Sequence, residues 1–334
     1  MSIVEGYADL VGNTPVMRLR NLFPDPGKAE VFAKMELSNP FSLKDRPGVT
    51  LIREAMREGK IKEGVEVVEA SSGNTAISLA AAGASMGFPV KIFMHAGCSM
   101  ERRQILCAFG AKVILTPASE LTGGARTRAI EYCENSNGRS FFLNQHSNPH
   151  NALAHEETTA PELWKTFGES LHTVIIGMGT CGTLEGISKY LKAKNPAIRV
   201  VGFEPDSNAV FSGDKKGSHS IVGIGPGFLT DNYKRCSHLV DEIIRVTDDD
   251  ALTYTRLIPR KEGVLAGITS GAGVWVAEQL LLRPEYHDPS LKVVLIFCDS
   301  GERYLTTPNL FPADNVDATT FLPPTTDSAA PASL

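Results

Sequence analysis

VEVVEASSGNTAISLAAAGASMG occupies residues 65–87. A β-branched run, a short polar turn and an Ala-rich segment predict strand, loop and helix in direct succession. The same alternation continues through VKIFMH (90–95), KVILTP (112–117) and FFLNQ (141–145), then TVIIGM (173–178), RVVGFEP (199–205) and VVLIFCD (293–299), with helical periods between them. Strands that alternate with helices imply parallel sheets covered by helices. The break at the Asn/His/Pro-rich stretch near 146–151 divides the pattern into two units. The fold class read from this is α/β with two domains, each an open, twisted, mostly parallel sheet. Residues 1–44 are expected to pack largely on the larger domain, 45–150 to form a smaller mobile domain and 151–312 the larger one. The Pro/Thr/Ala/Ser-rich residues 313–334 read as a disordered tail. Asp206–Leu229 has no clear period and reads as a long loop.

The 334 residues suffice for more than one core. With 42% hydrophobic and 21% charged residues, the composition is that of a globular protein, and no apolar run approaches the length of a membrane span. A net charge of -5 gives no field for nucleic acid or anionic lipid, and the eight histidines have no metal-ligand spacing. The start MSIVEGYADLVGN lacks a signal-peptide pattern, so the cytoplasm is the expected compartment. Six cysteines without a CxxC pair, standing mostly in apolar elements, read as reduced, buried thiols.

Three segments carry chemistry. Ser71-Ser72-Gly73-Asn74-Thr75 joins a strand to a helix, so first-turn N–H groups, the helix dipole and hydroxyls there can bind a carboxylate or phosphate; an ordinary N-cap run is the plain alternative. Gly177-Met178-Gly179-Thr180-Cys181-Gly182-Thr183 lies between TVII and LEGISKYLKA and matches GxGxxG. With Glu204 about 20 residues on, it fits a dinucleotide fingerprint, which keeps a NAD-dependent oxidoreductase in view. Thr180 and Thr183 suit a compact terminal phosphate instead. Asn39–Gly48 is a Pro-bracketed loop before the helix VTLIREAMREGK, and a partly buried Lys44 at that helix start would have the lowered pKa of an amine nucleophile.

In this order, with GNTPVMRL (12–19), ERRQILCAFGAKVILT, NQHSNPHNALAHEETTAPELW, GIGPGF (223–228), GVLAGITSGA (263–272) and DSGERYLTT (299–307), these segments resemble the cysteine synthase (O-acetylserine sulfhydrylase) family of the tryptophan-synthase-β-like fold. The resemblance spans roughly residues 7 to 310. It implies pyridoxal 5′-phosphate (PLP) in the cleft between the domains and Lys44 as Schiff-base and catalytic residue. It implies Gly179, Thr180, Cys181, Gly182 and Thr183 around the phosphate, Asn74 on the ring hydroxyl and Thr269 opposite the pyridine nitrogen. Ser71, Ser72, Gly73, Thr75 and Gln145 would hold the substrate, and Gly223 would lie in the loop near the ring.

The implied reaction is β-replacement: O-acetyl-L-serine and sulfide give L-cysteine and acetate through an α-aminoacrylate. Facing a hydroxyl rather than a carboxylate, the pyridine nitrogen stays unprotonated and the ring is a weaker electron sink, which favours β-elimination over transamination. O-phospho-L-serine, or a non-sulfide nucleophile as in cystathionine β-synthases, are the alternatives. The GIGPGF loop supplies no arginine for a phosphate leaving group, which favours the acetyl ester. Cys181, Ala76 and MHAGCSM depart from the family's usual residues, and Cys98 reads as an ordinary loop residue or one that the substrate meets. A homodimer is implied, with a small-molecule substrate and no nucleic-acid or membrane partner.

Overall fold

The computed structural model describes residues 3–312, apart from Lys215 and Asn309; the tail expected at 313–334 lies outside the described residues. The larger sheet contains β1 (Val16–Arg18), β2 (Glu30–Lys34), β7 (Leu171–Gly177), β8 (Arg199–Pro205), β9 (Glu242–Val246) and β10 (Lys292–Ile296), in the order β1-β2-β10-β7-β8-β9. All its pairings are parallel except β1 with β2. The smaller sheet, β5-β4-β3-β6, is parallel throughout and is built from β3 (Glu66–Ala70), β4 (Val90–His95), β5 (Lys112–Thr116) and β6 (Ser140–Phe142).

Side-chain alternation places the cores. In β7, Ile175 joins one apolar cluster while Val174 and Ile176 join another, and β10 divides likewise between Val293 and Leu295 on one face and Val294 and Ile296 on the other. Both faces are therefore covered, as a parallel sheet requires. In β3, Val67 and Val68 point into the two separate cores of the smaller sheet. The helices of this unit are α1 (Asp45–Arg57), α2 (Asn74–Met86), α3 (Met100–Ala108) and α4 (Leu121–Glu134). The larger sheet is covered by α5 (His150–Ala154), α6 (Ala160–Phe167), α7 (Gly182–Lys194), α8 (Asp231–Cys236), α9 (Asp248–Glu262) and α10 (Ile268–Leu281).

Several expectations need correction. The strand expected over 141–145 ends at Phe142, because Asn144 takes a left-handed conformation (φ 56°) that breaks the ladder. The loop expected up to Gly48 ends at Lys44: α1 starts at Asp45, with Pro47 tolerated in its first turn and the Asp45 carboxylate accepting from the N–H groups of Phe41 (2.7 Å) and Ser42 (2.9 Å). Strands β1, β2 and β9 escaped the sequence reading. All six cysteines are free, but only Cys98, Cys181 and Cys236 are buried; Cys107 is exposed. Asp206–Leu229 is a loop apart from a 3-10 turn at Asp206–Asn208 and short turns.

Candidate active site

Lys44 sits where the chain leaves the larger sheet for the smaller one. Its flanks are pinned: Leu43 N–H donates to the Cys298 carbonyl (2.8 Å), Ser42 bridges Asp299, and Gly48 N–H donates to the Lys44 carbonyl (2.9 Å). Burial pulls the Lys44 amine below its ordinary value, against the opposing charges of groups at Cys298, Asp299, Cys181 and Glu36. The neutral, nucleophilic form is thereby favoured. Behind this loop lies a buried ion network. Arg46 donates through Nε and Nη2 to Glu36 (2.7 and 2.8 Å) and through Nη1 and Nη2 to Glu162 (2.7 and 2.8 Å). Lys34 reaches Glu162 at 2.6 Å, and the Thr14 hydroxyl donates to Glu36 at 2.7 Å.

The turn 179–183 follows β7. Cys181 is left-handed (φ 61°) and caps α7, so the amides of Gly179, Thr180 and Cys181 donate to no acceptor among the described residues. A Cβ on Gly179 would come within 2.6 Å of the Gly223 carbonyl, and one on Gly182 within 2.1 Å of Asn151 Oδ1. The turn is therefore a cradle of free N–H groups at a helix N-terminus, walled by backbone and by Asn151, which is the donor set a phosphate requires. Asn151 Oδ1 is itself buried without a partner. Gly182→Ala is expected to overpack this wall by about 1–3 kcal/mol, which should weaken cofactor retention about tenfold or more; equilibrium titration with the cofactor checks it.

Around the turn, His155 Nε2 meets the Thr183 hydroxyl (3.1 Å) and its Nδ1 meets Thr159 (2.9 Å). His155–Thr159 forms a π-helical turn between α5 and α6, an irregularity found at functional sites. Burial, with the charges of Lys44 and Arg46, holds His155 well below the usual histidine range, so it is one donor and one acceptor. Thr269 Oγ1 donates to the Val222 carbonyl (2.9 Å), and a Cβ on Gly223 would lie 3.4 Å from that hydroxyl.

The loop 71–75 comes from the smaller sheet. Thr75 Oγ1 donates to Gln145 Oε1 (2.6 Å), so those two expected residues meet. Gly73 begins α2 without a side-chain cap, and Ser71 Oγ accepts from Gly73 N–H at 3.3 Å. Ser72 offers its carbonyl to Arg102 Nη1 (3.4 Å), and its side chain helps offset the rise in the Cys98 thiol pKa. Cys98 is therefore buried against the loop, where burial pushes its thiol up. Asn74 is doubly engaged: its Nδ2 donates to Asp299 Oδ2 (2.7 Å) and its Oδ1 accepts from Arg303. Tyr304 donates to the same Asp299 oxygen (2.6 Å). The two units meet at the Gln145 carbonyl, which accepts from Asn151 Nδ2 (2.7 Å) and Asn232 Nδ2 (3.0 Å); those same amides reach Thr180 Oγ1 (3.1 Å) and the Thr180 carbonyl (2.8 Å).

The contacts thus join Thr75 to Gln145, Gln145 through Asn151 and Asn232 to Thr180, and Gly179 to Gly223 and Thr269, while Asn74 meets Asp299, next to the Cys298 that anchors the flank of Lys44. Sequence reasoning missed Asn151, His155, Asn232, Asp299 and Arg303 as members of this site. Asn151, His155, Asp299 and Arg303 lay within the quoted segments, but Asn232 gave no signal. Glu204, the residue a nucleotide ribose would need, is buried and already accepts from Phe211 N–H (2.9 Å), Ser212 N–H (2.8 Å) and Ser212 Oγ (2.5 Å). It is an internal brace, which removes the dinucleotide reading.

Comparison with known proteins agrees with this geometry. A family model described as pyridoxal-phosphate dependent enzyme matches residues 7–299. A cysteine synthase of Staphylococcus aureus is 40% identical over 307 residues, covering 91% of this chain and 96% of the relative. The structure resembles O-acetyl serine sulfhydrylase isoform 3 from Entamoeba histolytica, with a TM-score of 0.87 and 36% identity, covering 93% of this chain and 92% of that one. It also resembles an O-acetylserine dependent cystathionine β-synthase from Helicobacter pylori, with a TM-score of 0.84 and 35% identity, covering 91% and 98%. With the free-amide turn, the buried amine and the matching cleft in place, the chain belongs to the pyridoxal-phosphate dependent enzymes, in their cysteine synthase branch.

Proposed function

We propose that this enzyme replaces the β-substituent of an O-activated L-serine, taking O-acetyl-L-serine and sulfide to L-cysteine and acetate. The reading is supported by the desolvated Lys44 amine, the free-amide turn 179–183 and the contact between Thr75 and Gln145, with Ser72 taken as the third member of a carboxylate cradle on the family resemblance. The curated cysteine synthase relative supports it.

Bound pyridoxal phosphate, which Lys44 would hold covalently and the turn 179–183 would hold by its phosphate, supplies an electron sink that acidifies the substrate's Cα–H. The residues of this chain do the rest. Ser72, Thr75 and Gln145 grip the α-carboxylate and fix which Cα bond is presented. Asn74, itself held by Asp299 and Arg303, would face the ring hydroxyl, and Thr269, whose proton goes to the Val222 carbonyl, would turn that neutral hydroxyl to the pyridine nitrogen when the cofactor binds. With the cofactor bound, Lys44 would be the group that takes the Cα proton and later returns it, while acetate leaves Cβ and hydrosulfide adds there. Closure of the smaller unit over the carboxylate excludes water.

A second reading has an observation behind it. Arg102 reaches the Ser72 carbonyl (3.4 Å) from α3, and Arg303 reaches Asn74, so guanidinium groups come to the cleft from elements other than the GIGPGF loop. O-phospho-L-serine is the donor such charges favour. A stopped-flow spectral comparison of O-acetylserine, O-phosphoserine, serine and cysteine separates the two. The expected result is rapid turnover with O-acetylserine, and a preference for the phosphate ester would reverse the assignment. No helix among the described residues is long and apolar enough to cross a membrane. A cytoplasmic homodimer is the assembly proposed, on the family resemblance.

A further inference from the structure

Glu69, next to last in β3, is fully buried, and both its oxygens are spent on the walls of the cradle. Oε1 accepts the Ala70 N–H at 2.8 Å, where the chain enters the loop 71–75, and Oε2 accepts the Gln145 N–H at 3.1 Å on the opposite wall. Gln145 then returns to the Ala70 carbonyl through Nε2 (3.5 Å) and meets Thr75 through Oε1. One carboxylate thus ties together the two backbone points from which the cradle hangs, just past the last rung of the β3–β6 ladder, where Leu143 N–H donates to the Val68 carbonyl (3.1 Å). Arg126 of α4 backs it, with Nη2 on Asn144 Oδ1 (3.3 Å) and a buried Nε that has no partner.

We propose that Glu69 is a positioning residue for the substrate: its ionised carboxylate holds the two walls at the spacing in which Ser72, Thr75 and Gln145 grip the amino acid, and its protonation loosens that grip. The inference rests on the cradle reading given above. A protonated carboxyl presents an O–H where an N–H already points, so one of the two amides loses its acceptor. Burial pushes Glu69 up to about 7, against the pull of the Ala70 and Gln145 amides and the Arg126 charge. The surroundings are otherwise quiet. Helix α2 carries no charged residue, nor does β6. On β4, Lys91 is paired with Glu66 (2.8 Å), and His95 is held low by burial beside Arg102 and Arg103. On α4, Cys133 is pushed up to about 11 by burial and neighbouring acids, and so stays neutral. His146, next to Gln145, is held at about 4 by burial and the charges of Arg126 and Lys44, and is neutral too. Because the folded value of Glu69 lies above its ordinary one, its contribution to stability grows as pH falls through 7. Weaker binding on the acid side therefore does not come from unfolding at this group.

The test is steady-state kinetics of the holoenzyme with O-acetylserine between about pH 6 and about pH 8.5, comparing wild type with Glu69→Gln. Loss of one charge-assisted bond should raise the variant's KM about tenfold on the alkaline side. The loss should fall on KM rather than kcat, and the ratio of variant to wild-type KM should fall towards one on the acid side, where the wild type resembles the variant. A ratio that does not change with pH, or a loss confined to kcat, overturns the proposal. Arg126→Met serves where Glu69→Gln does not fold: removing that charge should move the wild-type KM transition to higher pH, and an unmoved midpoint overturns the proposal as well. Gln145→Ala separates the two layers. A normal KM there overturns the cradle itself, whereas a raised KM with a pH-independent ratio in Glu69→Gln overturns only the role of Glu69.

Discussion

Lys44→Ala should leave a folded protein whose turnover is lower by at least about three orders of magnitude, the upper range for loss of one positioned acid–base group. The larger part of the defect is chemical, because the same amine is both covalent anchor and proton carrier. The phosphate turn does not depend on it: the free amides of Gly179–Cys181 and the His155–Thr183 contact come from β7, α7 and the helix at 150–167. The variant is therefore expected to bind the cofactor in a form that dialysis removes and borohydride does not fix to the chain. Absorbance and mass measurement of the reduced protein check the anchor, and kcat checks the base. Turnover within tenfold of wild type would reassign both roles.

Arg46→Met should cost about 3–5 kcal/mol of stability, the range for removing one partner of a buried ion pair. Glu36 would keep only Thr14 and Asn39 as partners, and Glu162 would keep Lys34 and the Asn13 N–H. Urea denaturation of the cofactor-saturated protein, with wild type under the same saturation, measures the loss without a linkage artefact. The pH dependence gives an independent reading. Burial works against ionisation of Glu162, but Arg46 and Lys34 override it and hold the carboxyl at about 2, below its ordinary 4.5. A depressed carboxylate stabilises above its unfolded value and loses that contribution as pH falls through the folded one, so the wild type should lose stability from 4.5 towards 2. In Arg46→Met much of that slope should vanish, and an unchanged slope would place the source elsewhere. Because the same network backs the loop 39–44, the variant should also lower kcat.

The sequence disclosed what depends on local pattern. The β-branched runs of β3, β4, β7, β8 and β10 are legible because buried parallel strands need apolar residues on both faces. The strand EVFAK resisted because its ends are charged: Lys34 belongs to the ion network, and Glu30 pairs with Arg18 and Lys292. VMR was too short to show a period, and EIIRV is framed by Glu242 and Arg245, which pair outward. Within the cleft, Lys44, Thr75 and the turn 179–183 announced themselves by position at helix starts. Asn232 did not, because its importance lies in two carbonyls distant in sequence, those of Gln145 and Thr180. Glu69 stood in plain view inside VEVVEA, yet alternation alone cannot tell a buried carboxylate from an exposed one.

The strand order β1-β2-β10-β7-β8-β9 has a consequence for biosynthesis. During translation the smaller sheet is complete once residue 142 has emerged, and its parallel strands can pair at once. The larger sheet stays divided until β10 leaves the ribosome, because that last strand is the one that joins β2 to β7. Both the Leu43 anchor at Cys298 and the Asn74 anchor at Asp299 arrive with it. The nascent chain therefore carries its reactive lysine unclamped until β10 and the Cys298–Asp299 segment after it have been made.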